Sequence, residues 1–403
     1  MAVKLKTSCS FRAISKYLVT MNFYYNITVK ALSHVTICNW VKKVGYYQLS
    51  KPKEIAEDWV IIIDESIQIG AEKLLLILGI RSTNIDFSRP LNFTDVLPIV
   101  QISKTGWNAQ KVKIELEKAK EILGSIKYAV SDKGASINKG LELCEIPHVH
   151  DVTHRMANIL KKVYKNDRAF ICYMSKVASL RLQIQQTKWA YLLPPQQRAQ
   201  SRFLNLKPIM EWGMKMLDYM EKDEYRAESS EIKEKLYWVQ EYKAFLKEIN
   251  QVLDGISSIF KLLKNKGLSK NSEKDCIEYL LGIESTTRGQ LIKAEIMDYF
   301  AEVNTTIKNE GKILCTSDII ESSFGLFKNA ISKNALNGIT SLALCIPANT
   351  SRLDTVEVKR IMELVSHRMI NNWSRENLGD SLLKLRKKAL EKNRVKNVFK
   401  KAA

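Results

Sequence analysis

The sequence predicts a mixed α/β core interrupted by a large all-helical insertion, with basic helical segments at both ends. Three observations carry this. Strand-sized runs of β-branched residues and leucine cluster between Trp59 and Val152. Strand signals then vanish from His154 to about residue 309, where apolar residues recur at helical spacing. Only 16 Gly and 8 Pro occur in 403 residues, too few for a collagenous, low-complexity or mostly disordered chain.

The elements follow in chain order. Residues 10–48 read as short helices. Phe11, Ile14, Tyr17 and Leu18 share one helical face, and a second helix starts after Ser33, a suitable N-cap. It runs through Val35, Ile37, Trp40 and Val41 to Lys43, where Gly45 is expected to stop it. Two short helices with lysines at the end suggest a helix-turn-helix module that reads DNA. Trp59 to Asp64 predicts the first strand, Lys73 to Ile80 the second and Val96 to Ser103 the third. Asn108 to Leu123 is an amphipathic helix, Ile126 to Val130 a fourth strand, Ser136 to Cys144 a short helix and Ile146 to Val152 a fifth strand. A helix follows from His154. Three meandering strands followed by alternating helices and strands mark a mixed sheet. Pro194-Pro195 interrupts the helical block, whose helices are expected at 210–222, 229–263, 273–283 and 291–308. The last 50 residues read as helices ending in a basic tail. The implied domains are 1–52, 53–165, an insertion at 166–310, the rest of the core at 311–375, and a tail at 376–403.

Net charge is +20 and is placed unevenly. Residues 1–57 hold nine Lys or Arg against two acids, and residues 381–403 hold nine against one, so the two ends carry 15 of the 20 charges. Such ends favour a polyanion, because each cation on a phosphate releases a counterion. Seven Cys with no Cys-x-x-Cys argue against a disulfide framework and for a reducing compartment. No apolar run reaches the roughly 18 residues of a membrane span, so a soluble cytoplasmic protein is expected. No P-loop, dinucleotide fingerprint, nucleophile elbow or His-Glu-x-x-His is present, which removes the usual signs of a nucleotide cofactor or a zinc protease.

The chemistry rests on carboxylates. Asp64 follows the first strand and Asp132 the fourth. If those strands are neighbours, their acids converge, and paired acids in a basic protein suit Mg²⁺, which keeps waters and phosphates in its shell. Two such metals clamp the attacking and leaving oxygens of a phosphodiester. Glu321, early in a helix after the insertion, is the third candidate, with Asp318 a competing ligand or capping partner. Lys328 lies two turns along the same helical face. Glu65 points to the opposite side of its strand. Cys144, His148, His150 and His154 raise the possibility of zinc, although their spacing matches no closed pattern.

An acid after strand one, an acid after strand four, a helix-borne acid and a lysine seven residues later together resemble the DDE-class transposases of insertion sequences. Their fold is ribonuclease-H-like. The long helical insertion and Asp151-Val-Thr-His154 are similar to the Mutator-like and hAT-like groups. The resemblance covers about residues 10–375. It implies that Asp64, Asp132 and Glu321 bind Mg²⁺, or Mn²⁺ as a substitute, and cut and join double-stranded DNA at transposon ends and target. It implies Asp151 and His154 beside the site, and a homodimer or larger assembly that is nucleoid-associated when bound to DNA. Candidate DNA contacts are Lys328, Thr36, Asn39, Lys42, Lys43, Arg198 and Arg202, and Trp189 is a candidate for stacking on an unpaired base. The alternatives are a metal-dependent nuclease on the same fold and an inactive or truncated remnant that only binds DNA.

Overall fold

A computed structural model describes the chain apart from residues 8, 27–31, 70, 198–202, 204, 284–285, 309–310, 331–337 and 391–403. It forms two compact units. The first comprises Met1–Asp86, Pro90–Val149 and Ser317–Ala403; the second comprises Phe87–Arg89 and His150–Thr316.

The first unit opens with three helices, α1 (Ala2–Lys6), α2 (Phe11–Tyr25) and α3 (His34–Ser50). Strands β1 (Ala56–Ile69), β2 (Glu72–Arg81) and β3 (Leu97–Thr105) follow. Helix α4 (Ala109–Leu123), strand β4 (Gly124–Ser131), helix α5 (Ala135–Leu143) and strand β5 (His148–His150) complete the βαβ half. The strands form one sheet of order β3-β2-β1-β4-β5. β1 runs antiparallel to β2 and parallel to β4, as the sequence order implies. β1 and β2 read as continuous apolar runs because both faces of the sheet are covered. Trp59, Ile61 and Ile63 of β1 join Leu75, Ile77 and Ile102 in a core closed by Val112, Leu116 and Leu123 of α4 and Ile137 and Leu141 of α5. Val60, Ile62, Leu74, Leu76 and Val130 are equally buried and belong to the other face.

Two strand expectations are corrected. β1 does not end at Asp64: its ladder with β2 continues through Asp64 opposite Leu76 to Ser66 opposite Leu74. The fifth strand is only three residues long. Asp151 accepts the His154 backbone N–H at 2.8 Å and caps a helix that begins at Val152, which cuts the strand short.

The second unit is all-helical. It contains α6 (Val152–Tyr164), α7 (Arg168–Ile184), α8 (Lys207–Met220), α9 (Asp223–Arg226), α10 (Ser230–Leu236), α11 (Lys243–Lys266), α12 (Lys270–Leu281) and α13 (Thr287–Thr306). The single helix expected over 229–263 is two helices, α10 and α11, joined by a tighter turn at Tyr237–Tyr242. That turn delivers Trp238 and Tyr242 to the buried ring of Tyr173, at 5.7 and 5.4 Å between centroids. Arg288 bridges Asp167 and Glu248 at 2.7 Å each. Trp189 is buried, at 5% exposure, which removes it as a base-stacking platform. The Val152 N–H donates to the Cys315 carbonyl at 2.8 Å, so the two ends of the insertion lie side by side.

The chain then returns to the first unit with α14 (Asp318–Ala330), α15 (Cys345–Ala348), α16 (Thr355–Leu364) and α17 (His367–Asn377). α14 buries Ile320, Phe324 and Phe327 at helical spacing and packs on β1. α3 packs against β3, α15, α16 and α17, and buries Ile37, Val41, Val44, Gly45 and Gln48. Gly45 is therefore not a stop. It lies inside α3 where a Cβ would stand 1.8 Å from the Leu344 carbonyl oxygen, so glycine serves a close approach of two backbones. α3 belongs to the same compact unit as the sheet, and its apolar face serves that unit's core.

Candidate functional site

The parallel β1–β4 ladder ends at the pair Ile62–Val130. Two residues further along each chain stand Asp64 and Asp132. By strand alternation Asp64 shares the face of Ile62, opposite the core formed with α4 and α5, whereas Asp132 lies one residue past the end of β4. Adjacent strands are about 4.8 Å apart, and the backbone brings both acids to the same end of the central parallel pair. Asp64 stays in the sheet on its β2 side alone, since β4 has ended, and both carboxylates are half-buried. The Asp132 carboxylate accepts the Gly134 N–H at 3.0 Å, which fixes the turn that begins there.

Glu321 lies in the first turn of α14 and is exposed. Lys328, on the same helical face, donates from Nζ to Ser66 Oγ at 3.0 Å. Ser66 is two residues beyond Asp64 and on the same face of β1. α14 is thereby laid over the side of β1 that carries Asp64, with Glu321 about 10 Å along the axis from Lys328. Asp64, Asp318 and Glu321 each have polar partners within the chain. Among the described residues, no group of three or more His, Cys, Asp or Glu is gathered closely enough to hold a metal ion. Asp64 and Asp132 are an oxygen-only, partly solvated pair, a donor set that fits a hard divalent cation completing its shell with water.

A supporting network escaped the sequence reading. Asn138 donates from Nδ2 to Glu142 Oε1 at 3.0 Å, which turns its Oδ1 toward His148 Nδ1, also 3.0 Å away. His148 Nδ1 is then the donor of that pair. Its Nε2 stands 2.8 Å from Ser131 Oγ, which in turn stands 2.7 Å from the Asp132 carbonyl oxygen. The network links α5 and β5 to the backbone of the second acid. Its acidic end is held ionised: the Lys139 hydrogen bond lowers the Glu142 carboxyl below its usual range.

The other candidates are dispersed. Cys144 Sγ is buried 3.6 Å from Glu117 Oε1, His150 lies 3.6 Å from Glu302, and His154 Nδ1 lies 3.2 Å from its capping partner Asp151. Each of these and His148 thus faces a different partner. Glu65 pairs with Lys73 at 3.1 Å, a structural role. Lys43 donates to the Met362 carbonyl at 2.9 Å and Thr36 Oγ1 is 2.9 Å from the Ser33 hydroxyl, so both are engaged within the fold. Asn39 and Lys42 are half-buried on α3. Arg198 and Arg202 lie outside the described residues.

No protein-family model matches the chain. No curated protein matches it either. Among solved structures it is similar to one described as "Drosophila P element transposase strand transfer complex", at a TM-score of 0.40 and 11% identity, over 90% of this chain and 94% of that chain.

Proposed function

We propose that the chain is a DNA transposase of the DDE class with a ribonuclease-H-like core, cutting at transposon ends and joining them to target DNA. The reading is supported by the β1–β4 register, which brings the segments of Asp64 and Asp132 to one end of the parallel pair, with α14 tied to β1 there by the Lys328–Ser66 contact. Asp64 and Asp132 would hold Mg²⁺, and Glu321, which is not gathered with them in this structure, would become the third ligand by moving toward them when metal and DNA bind. The bound metal supplies Lewis-acid stabilisation and a lowered pKa for the attacking oxygen.

The chain's own residues do the rest. Lys328 leaves Ser66 and takes a DNA phosphate, exchanging a neutral contact for a charged one. Ser131, His148 and Asn138 hold the Asp132 backbone so that its carboxylate stays aligned with Asp64. Asp151 and His154 are assigned a place next to the reacting DNA, in a homodimer or larger assembly on the two transposon ends.

The test uses the purified full chain with Mg²⁺ or Mn²⁺. The substrates are duplexes copied from the DNA that flanks its own coding sequence, one set intact and one carrying a pre-cut 3′-hydroxyl end, with a supercoiled plasmid as target. Wild type cuts the intact duplex and joins the pre-cut end. Asp64→Asn and Asp132→Asn do neither while still binding the duplex. Equal joining by the Asp64→Asn variant overturns the assignment. Cutting without joining by the wild type makes the chain a nuclease.

A further inference from the structure

The first 53 residues hold nine Lys or Arg and no Asp or Glu. Within them, α2 is barely used by the fold. Of its 15 residues only Ile14 is fully buried. At 100° per residue, Arg12, Lys16, Val19, Thr20 and Phe23 form one stripe on the side opposite Ile14. All five are exposed, Phe23 at 80%. Tyr17 and Tyr24, at 54% and 73% exposure, lie together on one side of the stripe, toward Ile14. Phe23 and Tyr24 sit edge to face, 5.1 Å between centroids, so the rings stand out from the helix as a pair.

Large exposed aromatics are costly unless something covers them. Three occupants fit such a face in general, and the charge pattern selects among them. A second copy would bring two acid-free, strongly basic segments together, which repel. A membrane-surface helix places its aromatics on a face apart from its cations. Here the most exposed ring, Phe23, lies on the same line as Arg12 and Lys16 rather than apart from them. Two cations and an exposed ring on one line, with Tyr24 beside the ring, match a single-stranded nucleic acid instead: phosphates meet the cations, and unpaired bases stack on the rings.

We infer that the outer face of α2 binds an unpaired DNA strand, with Phe23 and Tyr24 as stacking platforms and Arg12 and Lys16 as phosphate contacts. This goes beyond the cutting and joining reading and does not depend on the acidic site. It moves the amino-terminal contact with DNA from the half-buried α3 to the open α2.

The full chain is titrated, with EDTA present so that no metal-dependent cleavage enters, against a fluorescein-labelled 20-mer of deoxythymidine and a mixed-sequence 20-base-pair duplex. Fluorescence anisotropy reads binding. Phe23→Ala with Tyr24→Ala weakens the oligothymidine at least tenfold and the duplex less than twofold. Arg12→Ala with Lys16→Ala weakens both and flattens the salt dependence. These side chains are exposed, so the thermal midpoint stays within about 1 °C of wild type. Photocrosslinking of a 5-iododeoxyuridine oligonucleotide places the adduct on the 11–25 peptide. Undiminished oligothymidine binding by the aromatic double variant overturns the inference. So does a wild-type dimer that dissociates in that variant, or wild-type binding to phosphatidylserine vesicles that the variant loses.

Discussion

At the scale of single residues, the sequence singles out Asp64 and Asp132, each after an apolar run, and gives no sign of the contacts around them. His148 is 16 positions from Asp132 in sequence and is linked to it through Ser131 on the neighbouring strand, a contact that spacing cannot express. Groups one step behind a metal ligand typically govern about 10–100-fold of activity or metal affinity. His148→Ala is therefore expected to lower the joining rate by that factor and to raise the Mg²⁺ concentration needed, with an unchanged melting temperature. His148→Gln, which can still reach Ser131, restores part of it. An unchanged Mg²⁺ requirement in the alanine variant would show the network to be structural only. Asp58 offers a prediction independent of function. Burial by itself would raise its carboxyl, but hydrogen bonds from the Arg81 side chain and from the Thr83 N–H and hydroxyl outweigh this and hold it below its usual range. Its folded pKa is below its unfolded value of about 3.9, so its stabilisation is complete above that pH and lost as pH falls toward the folded value. Asp58→Ala is expected to cost about 1–2 kcal/mol at pH 7, a difference that urea titration shows shrinking below pH 4.

Among the elements, those with a strong local period were readable. The α4 helix falls within one residue of its expected bounds, because Asn108 caps it and an unbroken apolar stripe faces the sheet. Elements decided by tertiary contact were not. The sequence of α3 looks finished at Gly45, since glycine is the usual residue just past a helix end. The helix continues to Ser50 because its buried face is held by the sheet and by the segment around Leu344. Likewise β1 outruns Asp64 because β2 keeps pairing with it after β4 has ended. The α3 case is testable. In an ordinary helix interior Gly→Ala gains up to about 1 kcal/mol. At Gly45 the added methyl overlaps a backbone carbonyl that has no rotamer to escape through. Gly45→Ala is expected to destabilise the chain by about 3 kcal/mol, the upper end of overpacking costs. A neutral or stabilising result in chemical denaturation would mean that α3 and residue 344 do not meet this closely.

For the whole molecule, the change from a strand-bearing stretch to a strand-free helical one was the most legible feature, because it rests on long windows over which strand signals either recur or vanish. Charge was legible only as a sum. The sequence placed it at the ends, but it could not show that Lys384 and Lys388 are both spent on Asp380, at 2.5 Å each. An insertion that leaves and rejoins its host at adjacent points can be removed without stretching the host. Here Val152 and Cys315 are joined by a backbone hydrogen bond of 2.8 Å. The core of the first unit, from Trp59 to Ile146, contains no residue of the insertion. Replacing residues 153–314 by about four Gly and Ser residues spans that gap with slack, at roughly 3.3 Å per residue. Phe87 must change too. It belongs to the inserted unit, lies against Gly267, and has Lys312 above its ring at 5.7 Å, so excision would leave it bare. The deletion combined with Phe87→Ser is expected to yield a monomeric protein with a single cooperative thermal transition. Its circular dichroism should show a higher strand share than the parent, because eight helices have gone and the five strands remain. A broad, non-cooperative melt with exposed apolar surface would instead mean that the sheet unit cannot hold its fold without the insertion.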